Sequence, residues 1–459
     1  MQLLRYGHAS AILLLLIGSS VGEAWGQSGP STPAANKGTI TLLTGFGAQG
    51  YDEPGLLVEV SPGKFVGIAV GDNAIAFTLT SQGAVSTLYT FPTNAGPAQQ
   101  LVQAINGRIY GTQTLPLANF SLGPGGGAKT YQPTTAFPPI FSTQLPDGSL
   151  YGTEWAGNGH NALVQMTIDG TETVLHNFSA TEGTPYGLPI RASDGNFYGI
   201  SAVGIGPGRY STSAMVYRVT PQGDLTITAT YPDGHPGYAV GTFSEYLVQA
   251  GNGMLYGTAA MGGKNRGGAI FQLSLDGSYK LLYEFAGSVS GLPTFLTVAS
   301  DGNIYGVAQG QYQFGGPSSL FRVTPAGQFE TLQYLSGLQI GTCPCWLTEG
   351  SDGLFYGTTM SGGEGIGTAW TWNLGLPKPL PSLSGLLPAS GNAGTSVIVW
   401  GENLLGATGL SFNGTPAVTF SNITKEYVSV TVPSGAATGP VTVTTPNGTA
   451  TSPILFTVE

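Results

Sequence analysis

The chain has 459 residues, with 14 Lys+Arg against 24 Asp+Glu and a formal net charge of -10. Charged residues are only 8%, against ~25% in an ordinary soluble domain, which excludes a nucleic-acid footprint, a coiled coil and long solvent-exposed helices. The 73 Gly and 31 Pro break the 41% of hydrophobic residues into short runs, a pattern that predicts an all-β chain of many short strands.

Residues 1–26 read as a secretory signal peptide. Arg5 supplies the positive start, Ala11-Ile12-Leu13-Leu14-Leu15-Leu16-Ile17 the apolar stretch, and Ala24-Trp25-Gly26 the small residues of a cleavage site. The apolar stretch is well short of the ~20 residues that span a bilayer. Residues 27–37 form a polar Ser/Pro/Ala linker, and no later segment is apolar enough to cross a membrane. The expected product is exported: secreted, periplasmic or at the cell surface, with no transmembrane segment after cleavage.

The body, residues 38–375, repeats itself. Asp147-Gly148-Ser149-Leu150-Tyr151-Gly152-Thr153 recurs as Asp194-Gly195-Asn196-Phe197-Tyr198-Gly199, Asp301-Gly302-Asn303-Ile304-Tyr305-Gly306 and Asp352-Gly353-Leu354-Phe355-Tyr356-Gly357-Thr358. Asn252–Thr258 and Asn106–Thr112 are close variants, and Pro62-Gly63-Lys64-Phe65-Val66-Gly67 is a decayed first copy. The seven copies are 41–58 residues apart, the range of propeller blades. Asp-Gly and Asn-Gly between apolar strands are hairpin chemistry, because Gly accepts the positive φ of a tight turn. Four short strands per unit follow, with a seventh unit that lacks its third strand after Trp370-Thr371-Trp372. The spare strand stands at the other end, Gly38-Thr39-Ile40-Thr41-Leu42-Leu43-Thr44-Gly45-Phe46. Pairing it into the last unit predicts a seven-bladed β-propeller closed by an N-terminal strand, which leaves no open sheet edge.

These units resemble the GloVer-type tandem repeat of exported bacterial proteins. Leu255-Tyr256-Gly257-Thr258, Gly262-Gly263, Gly268-Ala269-Ile270-Phe271 and Leu282-Tyr283-Glu284-Phe285 carry the resemblance best. The pattern departs at Phe65-Val66-Gly67, which lacks the Tyr, and at residues 113–137, where Pro and Gly stand in place of the expected strand. The resemblance implies no biochemical activity.

Within the last unit, Cys343 and Cys345 flank Pro344. Two such Cys are too few for a disulfide framework or a tetrahedral zinc site; they could bond to each other as a tight loop staple. Residues 376–381, Leu-Pro-Lys-Pro-Leu-Pro, are a stiff linker. Residues 382–459 lose the repeat, and Tyr427-Val428-Ser429-Val430-Thr431-Val432 alternates as a half-buried strand does. Short strands in under 80 residues predict an Ig-like β-sandwich. The segment resembles the IPT/TIG immunoglobulin-like domain through Leu387-Pro388-Ala389-Ser390-Gly391, Gly401-Glu402-Asn403-Leu404, Phe412-Asn413-Gly414-Thr415-Pro416 and Thr438-Gly439-Pro440-Val441-Thr442-Val443. That resemblance implies a spacer or interaction module.

Strand parity puts both Asp-Gly turns of each unit on one face and the long, variable loops on the other. Function on rigid scaffolds concentrates in such loops. Trp155, His160, Arg209, Tyr210, Tyr238, Lys264, Arg266 and Tyr312 are the candidate ligand-binding residues there, aromatics beside Asn and Gly that suit a carbohydrate or peptide. The repeated Asp residues are expected to cap turns and not to hold calcium, since each stands alone beside Gly; the repeated Tyr is expected to pack between blades. No cofactor, metal or nucleic-acid motif occurs, and no Gly-x-Ser-x-Gly elbow or phosphate loop. His176 sits where other units place Tyr and reads as structural; Asp233 with His235, and Glu154, Glu245 and Glu364, are the residues from which catalysis could be built. The favoured reading is non-catalytic binding of an extracellular glycan or protein partner. The alternative is a secreted lyase or hydrolase of polysaccharide acting from the same face.

Overall fold

The computed structural model describes residues 37–47, 52–70, 74–92, 96, 100–114, 117–133, 138–155, 161–203, 213–230, 247–259, 267–285, 292–309, 318–335, 340–362, 367–422 and 424–459. Up to Asn373, the described strands form seven antiparallel sheets that follow one another along the chain. The third is typical: Ile140–Gln144, Leu150–Trp155, Asn161–Met166 and Glu172–Asn177, paired in that order. In the first, two short strands, Asp52–Pro54 and Val58–Ser61, pair with different stretches of the same strand, Lys64–Val70. The first strand of each later sheet touches the first strand of the sheet before it, mostly with the second strand as well, and Asp52–Pro54 of the first sheet touches Phe355–Ser361 of the seventh. Among the described residues the contacts therefore run from each sheet to the next and from the seventh back to the first.

Burial grades from the inside out for a physical reason. The second strand of each sheet is covered on both faces by neighbouring sheets, so Leu255–Ala259 is buried throughout. Such strands read as continuous apolar or small runs and not as an alternation. The fourth strands, such as Tyr279–Glu284, are half exposed. The Asp-Gly turn joins the first strand of a sheet to its second: Gln144 pairs with Leu150 across Asp147-Gly148, whose Gly has φ +91°. Each sheet thus begins one strand before the Tyr-Gly segment.

The seventh sheet holds Thr342–Glu349, Phe355–Ser361 and Thr368–Asn373, and its outer strand is Thr39–Gly45, from the far end of the chain. Ile40 faces Trp372 and Leu42 faces Trp370 across this junction. Trp372 Nε1 donates to the Lys37 carbonyl at 2.9 Å, and the Lys37 ammonium pairs with Glu330 in the sixth sheet.

Residues 113–137 depart from the sequence expectation. The second sheet is complete, with Leu117–Leu122 and Ala128–Tyr131 as its outer strands. The glycines there serve a turn: Gly126 takes φ +83° and donates to the Gly123 carbonyl. Three or more Gly in a row are compatible with a hairpin tip once the flanking residues, Ala118, Phe120 and Leu122, are buried.

The last nine strands form two further sheets. One holds Ser382–Leu387, Ser396–Glu402, Phe420–Asn422 and Tyr427–Thr431; the other is centred on Gly409–Phe412, Gly439–Thr445 and Gly448–Val458. Val397, Val399, Val428 and Val430 of the first meet Leu410, Phe412, Val441, Val443 and Phe456 of the second in one core. Among the described residues no helix is long and apolar enough to cross a membrane.

Candidate functional site

The repeated motif is spent on architecture, residue by residue. Its Asp closes the turn: Asp147, Asp194, Asp301 and Asp352 accept from the backbone N–H two residues on, at 2.9–3.1 Å. Three of these carboxylates also accept from the motif Tyr: Asp194 from Tyr198 at 2.9 Å, Asp301 from Tyr305 at 2.9 Å and Asp352 from Tyr356 at 2.7 Å. Where Asn replaces Asp, its amide donates to the Tyr hydroxyl instead, as Asn106 does to Tyr110 and Asn252 to Tyr256, both at 2.9 Å. Burial pushes the Tyr198 phenol up to about 12, with the hydrogen bond to Asp194 adding to the rise.

Each Tyr ring then meets the next sheet. Tyr151 stacks on Phe197 with centroids 4.4 Å apart, Tyr305 lies 4.8 Å from Phe355, and Tyr356 lies 4.1 Å from Phe65. The motif Gly sits opposite an aromatic on the neighbouring strand: Gly257 faces Phe271, Gly306 Phe321, Gly357 Trp370 and Gly67 Phe77. The motif Thr reaches a carbonyl in the next sheet: Thr112 to Pro139 at 2.6 Å, Thr153 to Gly187 at 3.4 Å and Thr358 to Gly55 at 3.0 Å. The contact between the seventh sheet and the first uses the same devices as the contacts between neighbours along the chain.

One further device went unread in the sequence. Three residues before the turn Asp or Asn stands a Glu or Gln in five copies: Glu59 (before Pro62), Gln103, Gln144, Gln249 and Glu349. Four of these side chains accept a backbone N–H in the preceding sheet's turn: Glu59 from Ser351, Gln144 from Ile105, Gln249 from Ser193 and Glu349 from Ser300, at 2.6–2.8 Å. The constant offset of three residues was the available signal.

The Asp-Gly face is also covered. Tyr427 of the C-terminal sheets donates its hydroxyl to the Gln144 carbonyl at 2.6 Å, and Lys425 Nζ donates to the Glu349 carbonyl at 3.0 Å. Asn447 Nδ2 donates to the carbonyls of Ser351 and Pro379, at 2.7 and 3.0 Å, and Ser300 Oγ to that of Pro377, at 3.0 Å. The linker and the C-terminal sheets thus lie against the turns; the face opposite is the one to which the sequence assigns the variable loops.

On that opposite face, Trp155 ends the strand Leu150–Trp155, paired with Asn161. His160, Arg209, Tyr210, Tyr238, Lys264, Arg266 and Tyr312 lie outside the described residues, as do Asp233, His235, Glu245 and Glu364. Glu154 is buried in the sheet beside Trp155. His176 is held by the Gly223 carbonyl at 3.1 Å and Glu182 at 3.2 Å, a structural setting at the outer edge of the third sheet. Cys343 and Cys345 lie in the strand Thr342–Glu349, two residues apart on either side of buried Pro344. Among the described residues no three His, Cys, Asp or Glu converge as a metal-holding group.

A family model for the Gloeobacter/Verrucomicrobia repeat matches residues 138–370. No curated protein sequence matches the chain. Among solved structures, a streptogramin B lyase covers 74% of this chain and 100% of its own, at 16% identity and a TM-score of 0.54. Virginiamycin B lyase from Staphylococcus aureus covers 73% and 99%, at 16% identity and a TM-score of 0.52. A copper-bound fungal alcohol oxidase covers 93% and 100%, at 12% identity and a TM-score of 0.52. At such identities the likeness is one of fold, and the fold is propeller-like.

Proposed function

The chain belongs to the Gloeobacter/Verrucomicrobia repeat family, and from that premise we propose an exported, non-catalytic binding protein. It is a seven-bladed propeller, residues 38–375, closed by its N-terminal strand and joined through residues 376–381 to an IPT/TIG-like sandwich, residues 382–459. Residues 1–26 direct export. The ligand, an extracellular glycan or protein, binds the variable-loop face.

One observation carries this reading. The Asp, Tyr, Gly and Thr of the repeated motif are tied into turns and inter-sheet contacts, and the turn face is covered by the C-terminal sheets. The face opposite the turns is therefore the one we assign to a partner, and the sequence reading puts the aromatic candidates in its loops.

The purified mature chain on a broad glycan array, with turnover followed in the same wells, tests the reading. Binding without product, weakened by Ala at Trp155, Tyr210 and Tyr312, is the expected result. Unchanged affinity in all three variants rejects the face. Product release rejects the binding-only role and makes Asp233, His235, Glu245 and Glu364 the residues to substitute next.

A further inference from the structure

The C-terminal sheets grip the residues that interlock one sheet with the next. Gln144 accepts from Ile105 of the second sheet through its side chain, and its carbonyl accepts from Tyr427. Glu349 accepts from Ser300 of the sixth sheet, and its carbonyl accepts from Lys425. Ser351 donates both its N–H and its hydroxyl to Glu59 of the first sheet, and its carbonyl accepts from Asn447. On the first sheet's turn, a Cβ built at Gly406 would lie 2.7 Å from Pro62 Cγ. Tyr427 and Leu405 are buried, 6% and 5% exposed, yet neither belongs to the core between the C-terminal sheets. Tyr427 ends on Gln144 and Leu405 stands beside the approach to Pro62, so the repeat body contributes to covering both.

These points stand on both sides of the junction between the seventh sheet and the first, the one contact between successive sheets that the chain does not run straight through. Glu349 and Ser351 belong to the seventh sheet; Pro62 belongs to the first and Gln144 to the third. The junction itself consists of Tyr356 against Phe65, Thr358 on the Gly55 carbonyl and Ser351 on Glu59, backed by the clasp of Thr39–Gly45 on Thr368–Asn373. Parting the seventh sheet from the first would carry Ser351 away from Pro62 and Gln144. One stiff body seated on all three cannot follow both sides. The C-terminal sheets are stiff in this sense, because Val397, Val399 and Val428 of one interdigitate with Phe412, Val441 and Phe456 of the other.

We propose that the C-terminal sheets are a lock on the repeat body: while seated they hold the seventh sheet against the first, and the junction parts only after they leave. This goes beyond the ligand reading and does not depend on it. The size of the effect follows from linkage. A body that binds the closed form and not the open one lowers the open population by the factor with which it binds. Weakening the seat therefore raises the open population by the same factor, as long as the seat stays mostly occupied. Tyr427→Phe removes one hydrogen bond, worth roughly fivefold. Leu405→Ala removes buried apolar surface, worth about tenfold or more. Neither residue lies in the clasp, so any loosening of the clasp reaches it through the lock.

Hydrogen exchange of the intact mature chain at one fixed pH tests this. The amides that pair Thr39–Gly45 with Thr368–Asn373 should lose protection by about fivefold in Tyr427→Phe and by about tenfold or more in Leu405→Ala. Thr112→Val is the comparison: it removes one bond between the second and third sheets, away from both seat and junction, and should leave the clasp unchanged. Wild-type protection of the clasp in Tyr427→Phe overturns the proposal, whether or not the turn amides of residues 145–149 and 350–354 loosen; Tyr427→Phe keeps the ring and decides the matter even if Leu405→Ala fails to fold. A clasp loosened as much by Thr112→Val as by Tyr427→Phe overturns it too, because the clasp then reports general stability and not a lock.

Discussion

Gly257→Ala is the sharpest probe of how the sheets are built. Gly257 is extended, so an alanine meets no backbone penalty there. A Cβ would nevertheless lie 2.1 Å from Phe271 Cζ and 2.5 Å from its Cε1, on a ring held between sheets. Forcing one methyl into a filled core costs about 1–3 kcal/mol. Against that, replacing Gly lowers the entropy of the unfolded chain, worth about 0.4–1 kcal/mol in the other direction. The expected net is a loss of about 1–2 kcal/mol, read as a lower midpoint in guanidinium unfolding. Gly251 provides the control: it is also free of positive φ but has nothing within 4 Å, so Gly251→Ala should be neutral or slightly stabilising. Adding Phe271→Leu to Gly257→Ala should recover part of the loss, since the ring is the obstacle. If Gly257→Ala were as harmless as Gly251→Ala, the pairing of motif glycine with cross-strand aromatic would not be a packing constraint.

Tyr217 takes the same covering position over Gly199, but its hydroxyl is buried and has no hydrogen-bond partner among the described residues. Tyr217→Phe should leave stability unchanged or raise it by up to about 1 kcal/mol in the same unfolding assay, and a marked loss would mean the hydroxyl is bonded. Thr358→Val removes the bond to the Gly55 carbonyl that joins the seventh sheet to the first, at a cost of about 1–2 kcal/mol; a cost near zero would show this junction to be slack. Asp194 is desolvated, but bonds from Asn196 and Tyr198 outweigh that and hold its carboxyl below the usual value. The stability it adds is present above about 3.9 and lost as pH falls below that, so the gap between wild type and Asp194→Asn should close in acid. Native Asn at positions 106 and 252 argues that the gap at pH 7 stays under about 1 kcal/mol; unfolding series at pH 3 and pH 7 measure it.

The sequence made the repeat legible because the same physical demand recurs in every unit. Asp-Gly, Tyr and the following Gly each answer a local need, a turn, a filled gap between sheets and room for a ring, and a local need leaves a fixed spacing. The spare strand at residues 38–46 was readable for the same reason: a missing outer strand at Trp372 and an unmatched one near Thr39 are complementary. Two things were hidden. The interlocking Glu and Gln residues look like ordinary polar strand ends until their partners, dozens to hundreds of residues away, are known; Glu59 and Ser351 are 292 apart. The seating of the C-terminal sheets on the turns was equally unreadable, since it rests on side chains such as Tyr427 and Asn447 meeting backbone carbonyls. A backbone carbonyl leaves no mark in a sequence. The candidate ligand residues follow no repeat at all, which is what a specific partner requires and what a single sequence cannot decode.

The clasp between Thr39–Gly45 and Thr368–Asn373 also sets the order of events in folding. Lys37 and Trp372, joined by a hydrogen bond, are 335 positions apart. Loop-closure entropy grows only logarithmically, so closing this span costs only about 2 kcal/mol more than closing one repeat. Time is affected far more than free energy. The first strand has no partner until the last sheet exists, and every sheet between can form from local contacts before then. Ring completion is therefore the late step, and in the interval both halves of the clasp are open strand edges of the kind that pair with a neighbouring molecule. Two such chains exchanging their first strands would satisfy every hydrogen bond of the closed ring, so concentration during folding should decide between one closed ring and a swapped pair.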